Sequence, residues 1–150
     1  SYTYETEIEA TIDLVFDCLN KDEHVLKWNN HIIENIYHGT EEDLTEGSIY
    51  TTRQKLGKKV YEFDVKYIKY NPPNLVVIES ETKEGLNRTE YQLEELAEST
   101  KISVKVYIEP ANWFFKLALT IFKRTIEPVY DEQFNRFVDY VYEQASKYEK

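Results

Sequence analysis

Hydrophobic and polar positions alternate strictly along Tyr2-Thr-Tyr-Glu-Thr-Glu-Ile-Glu9: Tyr2, Tyr4, Thr6 and Ile8 fall on one side, Glu5, Glu7 and Glu9 on the other. A period of two with one polar side predicts a half-buried strand. The period then lengthens. Ile12, Val15, Phe16 and Leu19 recur at helical spacing behind Thr11, an N-cap residue, with Asp13 in the first turn, where the helix dipole favours negative charge. Asn20 to Asn30 carries a second short helix with Val25, Leu26 and Trp28 apolar. His31 to His38 reads as a strand, and Gly39 to Gly47 as an acidic loop. From Ser48 to Glu109, at least four strands are separated by turn residues at Leu56-Gly57-Lys58, Asn71-Pro-Pro-Asn74, Glu84-Gly85 and Glu95 to Ser99. Short strands with tight connections predict an antiparallel meander.

The alternation also assigns faces. Tyr61, Phe63, Val65 and Tyr67 point inward, opposite Glu62, Asp64 and Lys66; Thr89, Tyr91 and Leu93 point inward, opposite Arg88, Glu90 and Gln92; Ile102, Val104, Val106 and Ile108 point inward, opposite Lys101 and Lys105. If Arg53 and Lys55 are solvated, Tyr50, Thr52, Gln54 and Leu56 turn inward. If Glu79 and Glu81 are solvated, so do Val76, Ile78, Ser80 and Thr82. These last two strands rest on register, since a slip of one residue exchanges the faces.

The run from Trp113 to Lys150 is the longest stretch with only helical spacing. Its first part, Trp113 to Phe122, is apolar around most of its circumference, with Lys116, Thr120, Lys123, Arg124 and Glu127 on one side. After Pro128 the apolar stripe is Phe134, Phe137, Val138, Val141, Tyr142, Ala145 and Tyr148, roughly opposite the centre of the first stripe at about 100° per residue. Proline lacks an N–H and disfavours helical geometry in the residue before it. A long helix is therefore expected to kink near Pro128, as two pieces joined there. The surplus apolar surface of the first piece is expected to be core, a lid over a cavity, or a surface for a partner or membrane. At ten residues it is too short to cross a bilayer, which takes about 20.

The 150 residues make one domain of ordinary size, 1–150, with no internal repeat or linker. A net charge of −10 argues against nucleic acid, whose phosphates require a basic surface. The single cysteine, Cys18, excludes a disulfide within the chain and fits a reducing, cytoplasmic setting. It lies near the inner face of a helix with no basic neighbour, as a buried, inert thiol does. The Tyr/Thr/Glu-rich N-terminus has no basic stretch followed by an apolar one, so no signal peptide is expected. The 13 tyrosines matter more, because a tyrosine offers an apolar body with one hydroxyl, suited to a core or a wet-edged cavity.

Candidate chemistry is sparse. The inward set contains hydroxyls and one amide but no His, Asp, Glu or Lys, and acid–base catalysis usually needs a tunable group. Hydroxyls in an apolar pocket instead orient a ligand. His24, His31 and His38 cross a helix, a turn and a strand, so their regular spacing does not imply convergence on a metal. No phosphate-binding glycine loop, nucleophile elbow or Cys–His pattern is present. No cofactor or metal is expected.

The order strand, two short helices, about six strands and a long helix resembles the helix-grip fold of the SRPBCC (START/Bet v) superfamily, and within it the polyketide cyclase/dehydrase-like branch. The segments carrying the resemblance are Ile8-Glu-Ala-Thr-Ile-Asp-Leu-Val-Phe16 with Leu19-Asn20, His24 to Trp28, Glu46-Gly47-Ser-Ile-Tyr50, Tyr61-Glu-Phe-Asp-Val65, Tyr70-Asn-Pro-Pro73 and the closing helix. It covers nearly the whole chain and rests on order and spacing, not on one specific motif. It implies an α+β fold, β-α-α-β6-α, in which a curved antiparallel sheet wraps around the long C-terminal helix. It also implies a cavity between sheet and helix for a lipid, polyketide or other apolar molecule. The family has no universal catalytic residues to carry over.

Combining faces and resemblance gives a candidate ligand-binding set: Tyr50, Thr52, Tyr61, Phe63, Tyr67, Thr89 and Tyr91 from the sheet, Trp28, and Trp113, Leu117 and Phe137 from the last helix. The two tryptophans serve either as core anchors or as residues at the cavity mouth. The expected function is binding or transport of a small hydrophobic molecule in a pocket of several hundred Å³. The alternatives are a cyclase/dehydrase-type enzyme, which needs an acid or base reaching inward, and a protein-interaction module with a filled core. The expected partners are thus a small hydrophobic molecule and no nucleic acid, with no stable membrane insertion, in a monomer or weak homodimer.

Overall fold

Each alternating run becomes a strand in the computed structural model, which describes residues 1–148. In chain order the elements are β1 (Tyr2–Ile8), α1 (Ile12–Asn20), α2 (Asp22–Trp28), β2 (Ile32–Ile36), β3 (Ile49–Leu56), β4 (Lys59–Asn71), β5 (Leu75–Thr82), β6 (Gly85–Glu95), β7 (Thr100–Pro110) and α3 (Trp113–Tyr148), with a 3-10 turn at Glu41–Asp43. The strands form one antiparallel sheet in the order β1-β7-β6-β5-β4-β3-β2. Together with the two short helices and the long one, this is the α+β helix-grip arrangement with a curved sheet.

Local chemistry sets the boundaries. The Thr11 hydroxyl accepts from the Leu14 N–H at 3.3 Å and starts α1. Gly85 opens β6 at φ +143°, where a Cβ would run into the Glu109 carbonyl of β7. Only glycine suits that position. Glu7 stands opposite Lys101 across β1–β7, and Glu5 opposite Ser103, so the acidic side of β1 is paired on its solvated face. Lys105 stands opposite Thr3 rather than a glutamate.

Register puts the expected residues of β3 and β5 on one face, although Leu56 and Thr82 at the strand ends are exposed. Tyr50 pairs with Val65, Thr52 with Phe63, Gln54 with Tyr61, Val76 with Tyr91 and Ile78 with Thr89. Two irregularities change what alternation alone predicts. Between Tyr67 and Lys69 the register shifts, and Tyr67 and Tyr70 pair with Ile78 and Val76, two residues of one face. Between Ile32 and Glu34 it shifts again, and Ile32 and Asn35 pair with Gln54 and Thr52. Each extra residue is a β-bulge that brings side chains three apart to the same side.

The core lies at one end of the concave face. Ile8, Val15, Cys18, Ile102, Val104, Phe137 and Val141 are fully buried there. The Phe137 ring packs 5.0 Å from Trp28, whose Nε1–H donates to the Cys18 carbonyl at 2.8 Å. One aromatic contact thus ties α3 to α2 and α1. Burial, with Asp17 adding to it, pushes the Cys18 thiol up to about 12.

The last helix differs from the expected two pieces. It runs without interruption from Trp113 to Tyr148 with Pro128 inside it; the side chain of Tyr148 lies outside the described residues. Pro128 and Arg124 are both exposed. The Arg124 carbonyl, which loses its i+4 partner to the proline, is therefore on the solvent side, where water satisfies it. Phase explains the rest. Phe115, Leu119, Ile126 and Tyr130 lie on the same side as Phe137 and Val141 and are half-buried. Trp113, Phe114, Leu117 and Ile121 lie on the opposite side, with Trp113 76% and Ile121 63% exposed. The inward stripe is continuous, and the surplus stripe faces water.

Substituting Phe137→Ala should cost about 3–5 kcal/mol in urea unfolding, as large-to-small changes in a closed core do. Ile121→Ala should stay within about 0.5 kcal/mol, as at exposed sites. Equal losses at both positions would mean that the outward stripe is packed.

Candidate functional site

Where the rear half of α3 packs into the core, the inward-phased residues of its front half stay half-buried. Tyr50, Phe63, Ile78, Ser80, Thr89 and Tyr91 line the sheet side and are half-buried; Phe115, Leu119, Ile126 and Tyr130 face them from α3. Burial raises the Tyr130 phenol, and the Asn87 side chain of β6 opposes that rise. Removal from water raises the Tyr50, Tyr67 and Tyr91 phenols above their ordinary values. Tyr50 and Tyr91 nevertheless keep accessible surface. The two facts fit together if that surface borders a space enclosed by protein, and local desolvation then decides the ionisation.

The bulge in β4 builds an aromatic ladder across the floor. Ring centroids lie 5.4 Å apart for Tyr37 and Tyr50, 5.7 Å for Tyr50 and Tyr67, 5.3 Å for Tyr67 and Tyr70, and 6.3 Å for Tyr70 and Phe16. These separations are those of favourable aromatic pairs. At the β2 end, Asp22 of α2 accepts from the Tyr37 hydroxyl at 2.8 Å and from Asn35 Nδ2 at 2.9 Å. Glu41 accepts from the Asp22 backbone N–H at 2.7 Å. Burial raises the Glu41 carboxyl, the Asp22 hydrogen bond opposes this, and the charges of Asp22, Glu42 and Glu23 add to it. Burial first, then the hydrogen bond to Asp22, holds the Tyr37 phenol protonated.

Of the residues expected to bind, Tyr50, Thr52, Tyr61, Phe63, Tyr67, Thr89 and Tyr91 share one face of the sheet by register. Tyr61 is exposed at the open end. Trp28 and Phe137 do not join them, because they pack against each other in the core. Trp113 and Leu117 do not join them either, because helical phase turns them outward, and Phe115 and Leu119 take the inward places. Asn35, Tyr37, Asp22 and Tyr130 were not anticipated. The alternation of Asn35 and Tyr37 in the strand after Asn30 was the available signal, but no face could be given to it without the bulge.

Two hollows lie away from the pocket expected between sheet and helix. A groove of about 680 Å³ opens at the other end of the fold, between the first turns of α1 and the β6–β7 connection, with Ala145 at its side. Glu9, Asp13, Asp17, Glu95 and Glu98 are among its walls, with Ile12, Leu14 and Leu96 between them, so it is an acidic groove with an apolar component. A recess of about 100 Å³ beside Trp28, Val129 and Arg136 is too small for an apolar guest. Among the described residues no group of three His, Cys, Asp or Glu is placed to hold a metal ion, and no helix is long and apolar enough to cross a membrane.

The chain matches the family described as polyketide cyclase / dehydrase and lipid transport over residues 1–141. No curated protein matches it. Among solved structures, TTHA0849 from Thermus thermophilus superposes with a TM-score of 0.73 at 10% identity, covering 96% of this chain and 98% of that one. Ara h 8.0201 superposes with a TM-score of 0.67 at 14% identity, covering 95% and 98%. DynU16, from the dynemicin biosynthetic locus, gives 0.66 at 15% identity, covering 93% of this chain and 46% of that one. At these identities the likeness is one of fold.

The raised phenols predict alkaline behaviour. Above about pH 10 the tyrosines of the unfolded chain lose protons while Tyr37, Tyr50, Tyr67 and Tyr91 hold theirs, so stability falls as pH rises. In an ultraviolet phenolate titration these four should ionise only together with loss of near-ultraviolet circular dichroism. Their ionisation with that signal intact would show that water reaches them freely.

Proposed function

Since the chain belongs to the polyketide cyclase / dehydrase and lipid transport family, within the SRPBCC superfamily, we propose that it binds or carries a small hydrophobic molecule in the cleft between the concave face and the front half of α3. The observation that carries this reading is the pair Tyr50 and Tyr91, deep enough to be desolvated yet keeping accessible surface on the inward face of the sheet. An apolar wall with a few hydroxyls is the usual make-up of a ligand site. Binding is favoured over catalysis because the carboxylate nearest the ladder, Asp22, is engaged by Tyr37 and Asn35. A carboxylate so held supports other side chains and does not reach a substrate.

The test is native mass spectrometry of protein purified from its host, with organic extraction and identification of anything released. A stoichiometric apolar molecule is the expected result. Tyr67→Phe and Tyr91→Phe should fold normally and bind it about three- to tenfold more weakly, the value of one hydrogen bond. A bare protein mass, with no thermal stabilisation by fatty acids, sterols or flavonoids, would remove the cleft as a ligand site.

The outward stripe of α3 favours a second reading, docking on a surface. Trp113, Phe114, Leu117 and Ile121 are exposed together, flanked by the exposed cations Lys116, Lys123 and Arg124 in a chain of net charge −10. Aromatic and aliphatic residues beside lysines and arginines suit an anionic lipid surface, and a membrane is where a carrier would load. Cosedimentation with anionic vesicles, lost in neutral vesicles and in Leu117→Asp/Ile121→Asp, is the expected outcome. Concentration-dependent self-association abolished by the same double variant, without vesicle binding, would make this a protein–protein face.

A further inference from the structure

The sheet holds two buried oxygens side by side with nothing to bond. Asn35 on β2 and Thr52 on β3 are cross-strand partners. Asn35 Oδ1 and Thr52 Oγ1 are closed to solvent and have no hydrogen-bond partner among the described residues. Thr52 as a whole is only 2% exposed. Leaving buried polar atoms unpaired is costly, and most such atoms in folded proteins have partners. Two of them on adjacent strands, next to the tyrosine ladder, are unexpected as packing alone.

Their chemistry is constrained. The Asn35 amide cannot be reversed, because its Nδ2 donates to Asp22, and an ionised carboxylate only accepts. Oδ1 is therefore the end left over, and it only accepts. The Thr52 hydroxyl both donates and accepts. A neutral hydroxyl completes this pair: it donates to Asn35 Oδ1 and accepts from Thr52 Oγ1. A carboxylate does not, since it has no proton for Oδ1 and would meet the negative charges of Asp22 and Glu41 nearby.

We infer that Asn35 and Thr52 form the polar anchor of the cleft and that its ligand is an apolar molecule carrying a neutral hydroxyl, an alcohol or phenol, and not a free carboxylic acid. Phe63, half-buried and opposite Thr52 across β3–β4, is the neighbouring ring on the same face. The anchor is a product of the β2 bulge, which turns Asn35 to the side of Thr52.

Because this assignment presupposes a ligand in the cleft, the experiment uses probes that separate the two ideas: 2-naphthol, 2-methoxynaphthalene, which cannot donate, and 2-naphthoate. Affinities are read by calorimetry on the wild type, Asn35→Leu, Thr52→Val and Thr52→Ser. The wild type should bind 2-naphthol about tenfold more tightly than the ether and bind the acid worst. Asn35→Leu should equalise naphthol and ether while still binding both, because only the donation to Asn35 Oδ1 separates them; Thr52→Val should weaken both together, and Thr52→Ser should bind as the wild type does. Thr52→Val should also raise the Tm of the free protein, since it removes an unpaired buried hydroxyl. Equal binding of naphthol and ether by the wild type, or a preference that survives Asn35→Leu, would overturn the anchor while leaving the cleft as a binding site. Failure of all three probes to bind would overturn both.

Discussion

The fold depends on how far α3 is gripped. Its rear half is clamped by the Phe137–Trp28 contact, by Phe134 and Val141 in the core, and by Tyr2, whose hydroxyl donates to Asp131 at 2.5 Å. Trp28 carries the clamp onward, through its indole N–H, to the end of α1. The two short helices and the β1–β7 edge thus close one end of the concave face. From Tyr130 toward Trp113 no residue of the helix is fully buried, and its inward side is only half-buried.

That division lets one apolar surface serve two purposes. Core residues at the closed end are mostly aliphatic or aromatic and lose nearly all contact with water. Toward the open end the same strands carry Tyr50, Thr89, Tyr91 and Ser80, side chains that tolerate an apolar guest and offer a hydroxyl. The surplus apolar face of α3 follows from the same geometry. A helix that touches the sheet on one side only, yet is apolar around most of its first ten residues, must show the remainder outward.

The electrostatics are arranged to orient groups more than to react. Asp22 fixes Tyr37 and the direction of the Asn35 amide, and burial keeps the tyrosine phenols protonated. The polar atoms left over, on Asn35 and Thr52, lie at the end of this arrangement. Hydrogen bonding of such groups counts for more in a low-dielectric interior than in water, so a cleft with few polar atoms can still be selective.

Local pattern alone determined much of this. The alternations of β1, β4, β6 and β7, the cap at Thr11 and the spacing of α1 concern residues close in the chain, and they identified the elements, the inward faces and the helix-grip order. Phe137 was legible as a stripe residue, though not as the partner of Trp28 in the core. What the sequence could not decide depends on pairing between distant segments. A bulge exists only relative to a partner strand, so neither the joint inward turn of Tyr67 and Tyr70 nor that of Asn35 could be read from β4 or β2 alone. The two stripes of α3 were visible, but which of them meets the sheet depends on where the helix is clamped. That choice, made by Trp28 and Phe137 at the far end, sends Trp113 and Leu117 outward and gives the cleft to Phe115 and Leu119.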